Sequence, residues 1–212
     1  MNKKCILSDF DGTITKKDGL YSFIETYAKG NWQDIEQSWA KGKIDSKTCL
    51  IEEFKLIPNL SEKLIVDFID YHIDIDENFC DFIKKIRDEN IDFFIVSDGL
   101  DFFIEKILKK YEINNLKIFS NHAEFVNGQF KITFPNDYSC CENNSGTCKC
   151  KILSDLRSEY DKIIYIGDGV SDYCVAPKAD ILFAKSKLEN YCKTNSISYN
   201  FYDNFSDIFY KI

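Results

Sequence analysis

Two aspartates one residue apart, Asp9 and Asp11 in "CILSDFDGTIT", follow an apolar run and precede Gly12 and Thr13. Paired carboxylates repel each other and are costly to desolvate, so a folded chain needs a reason to keep them. Further on, Ser97 ends the run "FFIVS", Lys151 opens the helical pattern "KILSDLRSEY", and Asp168 and Asp172 stand in "IGDGVSD". Such a set suits phosphoryl transfer. Asp9 can attack phosphorus as a nucleophile and form an aspartyl-phosphate. Asp11 is spaced to protonate the leaving alkoxide and then to activate water. Ser97, Lys151 and backbone amides after Asp9 would hold the equatorial phosphoryl oxygens. Carboxylate and carbonyl oxygens select a hard cation, and Mg2+ is the one that borrows a phosphate oxygen. Lys149 competes with Lys151 for the ammonium role; Lys151 is preferred because it adjoins the apolar pattern of its helix.

These residues need elements to bring them together. "KCILSDF" reads as a short buried strand that delivers Asp9 at its end. From residue 18 to residue 80 apolar residues fall at helical spacing, with breaks at Gly30, Gly42 and Pro58 and with Ser46 and Ser61 as candidate N-caps. This is a helical insertion of some four helices. A helix near "ENFCDFIKKIRDEN", the strand "DFFIVS", the helix "LDFFIEKILKKY" and the strand "LKIFS" follow. "HAEFVNGQFKITF" carries the alternation and the Asn127-Gly128 turn of a β-hairpin. Beyond a cysteine-rich loop come the helix containing Lys151, the strand "KIIYIGD", a short helix "SDYCVAP", the strand "DILFA", the helix "KLENYCK" and the pair "SISYNFY" and "FSDIFYKI". Strands that are apolar throughout, separated by helices, imply an α/β fold: a Rossmann-like parallel sheet with helices on both faces, a small helical cap and a β-hairpin. Residues 1–17 and 81–212 would form the catalytic core and 18–80 the cap. In such a sheet, sites collect at the carboxyl ends of the strands, where Asp9, Asp11, Ser97 and Asp168 all fall.

The totals restrict the partners. With 27 basic and 35 acidic residues the net charge is −8, which argues against nucleic acid or an anionic membrane surface and leaves a small phosphorylated metabolite. No segment approaches the roughly 20 apolar residues that span a bilayer. The apolar stretch behind "MNKK" ends at Asp9, too short for a signal peptide, so a cytoplasmic location and reduced cysteines are expected. Cys140, Cys141, Cys148 and Cys150 invite a zinc reading, but their spacing is wrong for a zinc knuckle; loop thiols or a facultative disulfide are preferred. His72 and His122 are too scattered for a zinc or triad site, and Trp32 and Trp39 read as core.

"DFDGTIT", the serine of "VSDG", a helix-opening lysine and "GDGVSD" resemble, in order, the four motifs of the haloacid dehalogenase-like phosphatases. The helical insertion after the first motif is similar to the cap of the phosphoserine phosphatase-type branch. "FSNHAEFVNGQFKITFP" and "YIGDGVSDYCVAPKADILFAK" extend the resemblance over nearly the whole chain, toward the methionine-salvage members of that branch and their enol phosphate substrate. The resemblance implies Asp9 as nucleophile, Asp11 as acid/base, and Mg2+ held by Asp9, the Asp11 carbonyl and Asp168 with Asp172 bracing the site. It places Thr13, Ser97, Asp98, Gly99 and Lys151 around the substrate phosphate. Asp98 stands where the methionine-salvage members carry Gly, so its side chain either points away or recognises a cationic or hydroxylated group. Another phosphoserine phosphatase-like substrate, or an idle binding protein on the same fold, are the alternatives.

Overall fold

The computed structural model describes residues 3–138 and 145–212. Seven strands form one sheet in the order β4-β3-β2-β1-β5-β6-β7. They are β1 (Lys4–Ser8), β2 (Asp92–Leu100), β3 (Lys117–Val126), β4 (Gln129–Thr133), β5 (Lys162–Gly167), β6 (Ile181–Ala184) and β7 (Asn200–Phe201). Every pairing is parallel except β3 with β4. Both faces are covered, as continuous apolar strands require. Ile6, Ile95, Ile164 and Phe183 point into one core, packed by α5 (Phe79–Asp88), α6 (Asp101–Lys110) and α9 (Phe205–Phe209). Cys5, Leu7, Val96 and Tyr165 point into the other, packed by α7 (Lys149–Leu156) and α8 (Ser186–Thr194).

Between β1 and α5 lie α1 (Gly19–Tyr27), α2 (Trp32–Ala40), α3 (Ser46–Lys55) and α4 (Glu62–His72). Gly30 and Gly42 sit at φ +79° and +68° in the connections, a left-handed backbone that glycine adopts without strain. The Ser61 hydroxyl caps α4 by accepting from Leu64 N. At α3 the cap is Asp45, which accepts from Thr48 N, and Ser46 is the first helical residue. The four-helix segment shares its core with the sheet side. Phe23 of α1 packs edge-on against Phe68 of α4 at 5.2 Å and Phe103 of α6 at 5.1 Å between centroids. Trp32 is buried there, whereas Trp39 is 37% exposed.

Three local expectations change. "LKIFS" and the first arm of the hairpin are one ten-residue strand, β3, which pairs with β2 through its first half and with β4 through its second. "SDYCVAP" holds two short 3-10 turns, Val170–Asp172 and Ala176–Lys178, and Pro177 cannot supply the amide of a longer α-helix. Of the closing pair, only Asn200 and Phe201 are strand; "FSDIF" is helix α9, opened by a capping box in which Asn204 Oδ1 accepts from Ser206 N and Asp207 Oδ2 accepts from Asn204 N. The hairpin turn is as expected, with Asn127 and Gly128 both at positive φ.

Candidate active site

The carboxyl ends of β1, β2 and β5 meet around one crevice of about 610 Å3. Asp9 follows β1, and its amide donates to Ile166 O of β5 at 2.9 Å, so the sheet ladder itself fixes its backbone. The side chain is almost fully buried, with Oδ1 accepting from Phe10 N at 2.8 Å. The chain then turns through Gly12 at φ +75°. A Cβ at Gly12 would lie 2.7 Å from Asp168 Oδ2, so only glycine lets the first loop close on the loop after β5. Thr13 seals that approach by donating from Oγ1 to Asp168 Oδ1 at 2.9 Å.

Lys149, not Lys151, occupies the floor. Its ammonium, 1% exposed, lies 2.9 Å from Asp9 Oδ2 and 2.6 Å from Asp172 Oδ1, and donates to Ser171 Oγ at 2.9 Å. Lys151 lies on the outer face of α7, paired with Asp155 one turn on. The signal that identifies Lys149 is helical phase. Ile152, Leu153 and Leu156, the buried residues of α7, stand three, four and seven positions after Lys149 and therefore share its face. Two positions on, Lys151 is carried round toward the opposite face. Lys151 adjoins the apolar run, but the face that run buries is that of Lys149.

Asp172 is fully buried and uses both oxygens on four donors. Oδ1 takes Lys149 and Tyr165 OH, at 2.6 and 2.5 Å, and Oδ2 takes the amides of Asp168 and Gly169, each at 3.0 Å. It braces the loop rather than facing the crevice. Ser97, Asp98 and Gly99 lie where the register of β2 against β3 shifts, an irregularity that re-aims side chains at a strand end. Ser97 Oγ accepts from Gly99 N at 3.0 Å. A Cβ at Gly99 would meet both Ser97 Oγ, at 3.1 Å, and Asp11 Oδ2, at 2.8 Å, so those two groups converge on one point. Asp11 Oδ1 is held by Gly19 N at 2.9 Å.

Asp98 turns away from that point. Its Oδ1 accepts from Thr147 N at 2.9 Å and Asn121 Nδ2 at 3.2 Å, and its carbonyl accepts from Asn121 Nδ2 at 2.6 Å. Thr147 Oγ1 in turn donates to Asn121 Oδ1 at 3.2 Å. The carboxylate therefore secures the segment that delivers Lys149. His122 makes a local pair with Asp101 at 2.6 Å. Cys140 and Cys141 lie outside the described residues; Cys148 is buried and Cys150 half-buried.

The electrostatics divide the carboxylates. Burial and the neighbouring Asp18 push Asp11 up to about 8, and burial with Asp172 pushes Asp168 up to about 6. Burial and Asp172 raise Asp9 as well, opposed by Lys149. Burial alone would lower Lys149, but Asp172 and Asp9 hold it above its ordinary value, so it is charged. Carboxylate oxygens of Asp9, Asp168 and Asp172 lie within 4.8 Å of one another. Three clustered carboxylates, with Lys149 in contact with two of them, supply hard oxygen donors that fit a divalent cation of the Mg2+ class. Asp172 is already saturated, so Asp9 and Asp168 offer the free lone pairs.

The model of a family described as "Putative Phosphatase" matches residues 5–189. The chain belongs to this phosphatase family. It is 32% identical over 209 residues to a Bacillus pumilus protein named 2-hydroxy-3-keto-5-methylthiopentenyl-1-phosphate phosphatase, covering 98% of this chain and 90% of that one. A protein of the same name from Brevibacillus brevis is 31% identical over 212 residues, with 98% and 95% covered. Among solved structures, a phospho-aspartyl intermediate analogue of phosphoserine phosphatase superposes with TM-score 0.74 at 19% identity over the whole of both chains. A haloacid dehalogenase family hydrolase from Salmonella enterica also gives TM-score 0.74, at 20% identity, over 95% of this chain and 68% of that one. The phosphatase is thus a phosphoric monoester hydrolase with the haloacid dehalogenase fold. Among the described residues, no helix is long and apolar enough to cross a membrane.

Proposed function

We propose that this phosphatase is Mg2+-dependent and works through an aspartyl-phosphate on Asp9, with a small phosphorylated metabolite as substrate. The observation that carries the reading is the floor of the crevice, where Lys149 joins Asp9 to Asp172 while Asp11 and Ser97 converge from the other side. In the first step an Asp9 carboxylate oxygen bonds to phosphorus as the ester P–O bond breaks, and Asp11 gives its proton to the departing oxygen. In the second step Asp11, now ionised, takes a proton from water, whose oxygen attacks the acyl phosphate and frees phosphate and Asp9. Lys149, Ser97 and the backbone amides after Asp9 hold the phosphoryl oxygens throughout. The cation, held by Asp9, Asp168 and the Asp11 carbonyl, would supply charge neutralisation for an anionic substrate approaching a carboxylate. Tyr21, Trp39 and Leu50 of the four-helix segment line the same crevice as Asp9 and Asp168, which supports reading residues 18–80 as a cap that excludes bulk water.

The relatives' printed name makes the enol phosphate 2-hydroxy-3-keto-5-methylthiopentenyl-1-phosphate the leading substrate. Phosphate release from that ester, phosphoserine and other small phosphomonoesters should require Mg2+ and vanish in Asp9→Asn. In Asp11→Asn it should fall by about 10^2- to 10^4-fold. The rank order of esters assigns the substrate. Wild-type protein inert toward every ester would overturn the reading.

A further inference from the structure

A second set of acidic groups lies in the helical wall of the crevice and takes no part in the chemistry above. Glu36 comes from α2, and Cys49 and Glu53 come from α3. Cys49 and Glu53 are four residues apart, so they stand one turn from each other on a single helical face. All three line the crevice. One ligand atom from each, two carboxylate oxygens and the Cys49 sulfur, lie within 4.8 Å of one another. Glu53 is 3% exposed, and its Oε1 is a buried polar atom with no hydrogen-bond partner.

An unpartnered buried acceptor costs about 1–3 kcal/mol, more for a charged group, and natural structures keep few of them. Here the orphaned oxygen sits among two further donor atoms that are also electron-rich. Its neighbours are the Glu36 carboxyl and the Cys49 thiol, both in hydrogen-bond contact with the Glu53 carboxyl. Burial and Glu36 push Glu53 up to about 8, and burial followed by Glu53 raises Cys49. Lys187 favours the ionised form of Glu36, without a hydrogen bond to either glutamate among the described residues. The proton that Glu53 keeps at neutral pH is what a bound cation would displace.

We propose that Glu36, Cys49 and Glu53 form a second divalent-cation site, for a borderline ion of the Zn2+ or Co2+ class, in the helical wall of the crevice. The thiolate discriminates against Mg2+, which takes oxygen ligands. The carboxylates supply the charge. Three protein ligands leave a coordination position toward the crevice for water or a substrate oxygen, the arrangement that distinguishes an open metal site from a closed structural one. Such an ion would sit in the helical wall of the same crevice that Asp9 and Asp168 line.

The test reads binding rather than turnover, so it stands apart from the phosphatase mechanism. Metal-free protein, held in excess Mg2+ to occupy the oxygen-rich site, is titrated with Co2+. The expected result is one Co2+ per chain with a thiolate-to-cobalt charge-transfer band. That band should disappear in Cys49→Ser, and affinity should fall by at least about tenfold in Glu53→Gln, since even outer-shell changes cost that much. Glu53→Gln keeps the side-chain volume, and circular dichroism of both variants confirms that they are folded. No band in the wild type, or a band that persists in Cys49→Ser because thiolates elsewhere hold the ion, would overturn the proposal. Unchanged affinity in Glu53→Gln would do the same.

Discussion

Lys149 carries more of this site than any other single side chain. Its ammonium is the positive partner in contact with two buried carboxylates, Asp9 and Asp172, and it is itself 1% exposed. Truncating one member of such a set leaves charge buried and uncompensated, which costs about 3–5 kcal/mol. Lys149→Met should therefore lower the denaturation midpoint as well as abolish phosphate release. Lys151→Met removes a partly exposed pair one helical turn long, worth a few tenths of a kcal/mol, and activity should stay within about twofold. Parallel assays and urea melts of the two variants check this. Equal damage from both would mean that α7 is rotated from the phase described. Asp9 and Asp168, by contrast, were legible in the sequence, because each follows an apolar strand directly and a strand end leaves one direction to face. A helix offers several faces, and choosing between lysines two residues apart needs the phase of its buried residues.

At the scale of elements, the ends of β1, β2 and β5 and the start of α7 converge through a few long-range hydrogen bonds. The α/β alternation, the hairpin and the four-helix insertion all follow from periodicity and turn residues, and they were readable in advance. Asp98 was not. Its partners, Asn121 and Thr147, lie 23 and 49 positions along the chain, and no local pattern announces such a contact. In sequence its side chain either points away from the phosphate or meets a substrate group; in the fold it holds the Thr147 amide, two residues before Lys149, while still lining the crevice. Asp98→Ala should thus reduce kcat, by up to about 10^2-fold if Lys149 moves by the order of an ångström, while KM changes little. Asp98→Asn, which keeps an acceptor oxygen, should recover part of the loss. A rise in KM with kcat intact would make Asp98 a substrate-binding residue after all.

Several buried carboxyl groups line one cavity, and the stability of the whole molecule should register that. Asp11 and Asp168 sit at about 8 and about 6 in the folded chain, against about 3.9 for an unfolded aspartate. Between those limits the folded protein holds protons that the unfolded chain has released. Its stability therefore falls as pH rises from about 4 to about 8, the reverse of a carboxylate in a salt bridge. Melting temperatures of chelator-treated protein should decline across that window, and Mg2+ added at pH 8 should restore most of the loss by binding the folded state alone. A flat profile in chelator would contradict the burial of these groups. The same cavity is bounded by α3, whose Ser46 hydroxyl accepts the Gly146 amide at 3.2 Å, one residue before the Thr147 amide that Asp98 holds. α3 cannot swing outward without letting go of that amide, and the released segment runs straight into Lys149. On the function proposed above, admitting a substrate past α3 and positioning Lys149 would be coupled through that one segment.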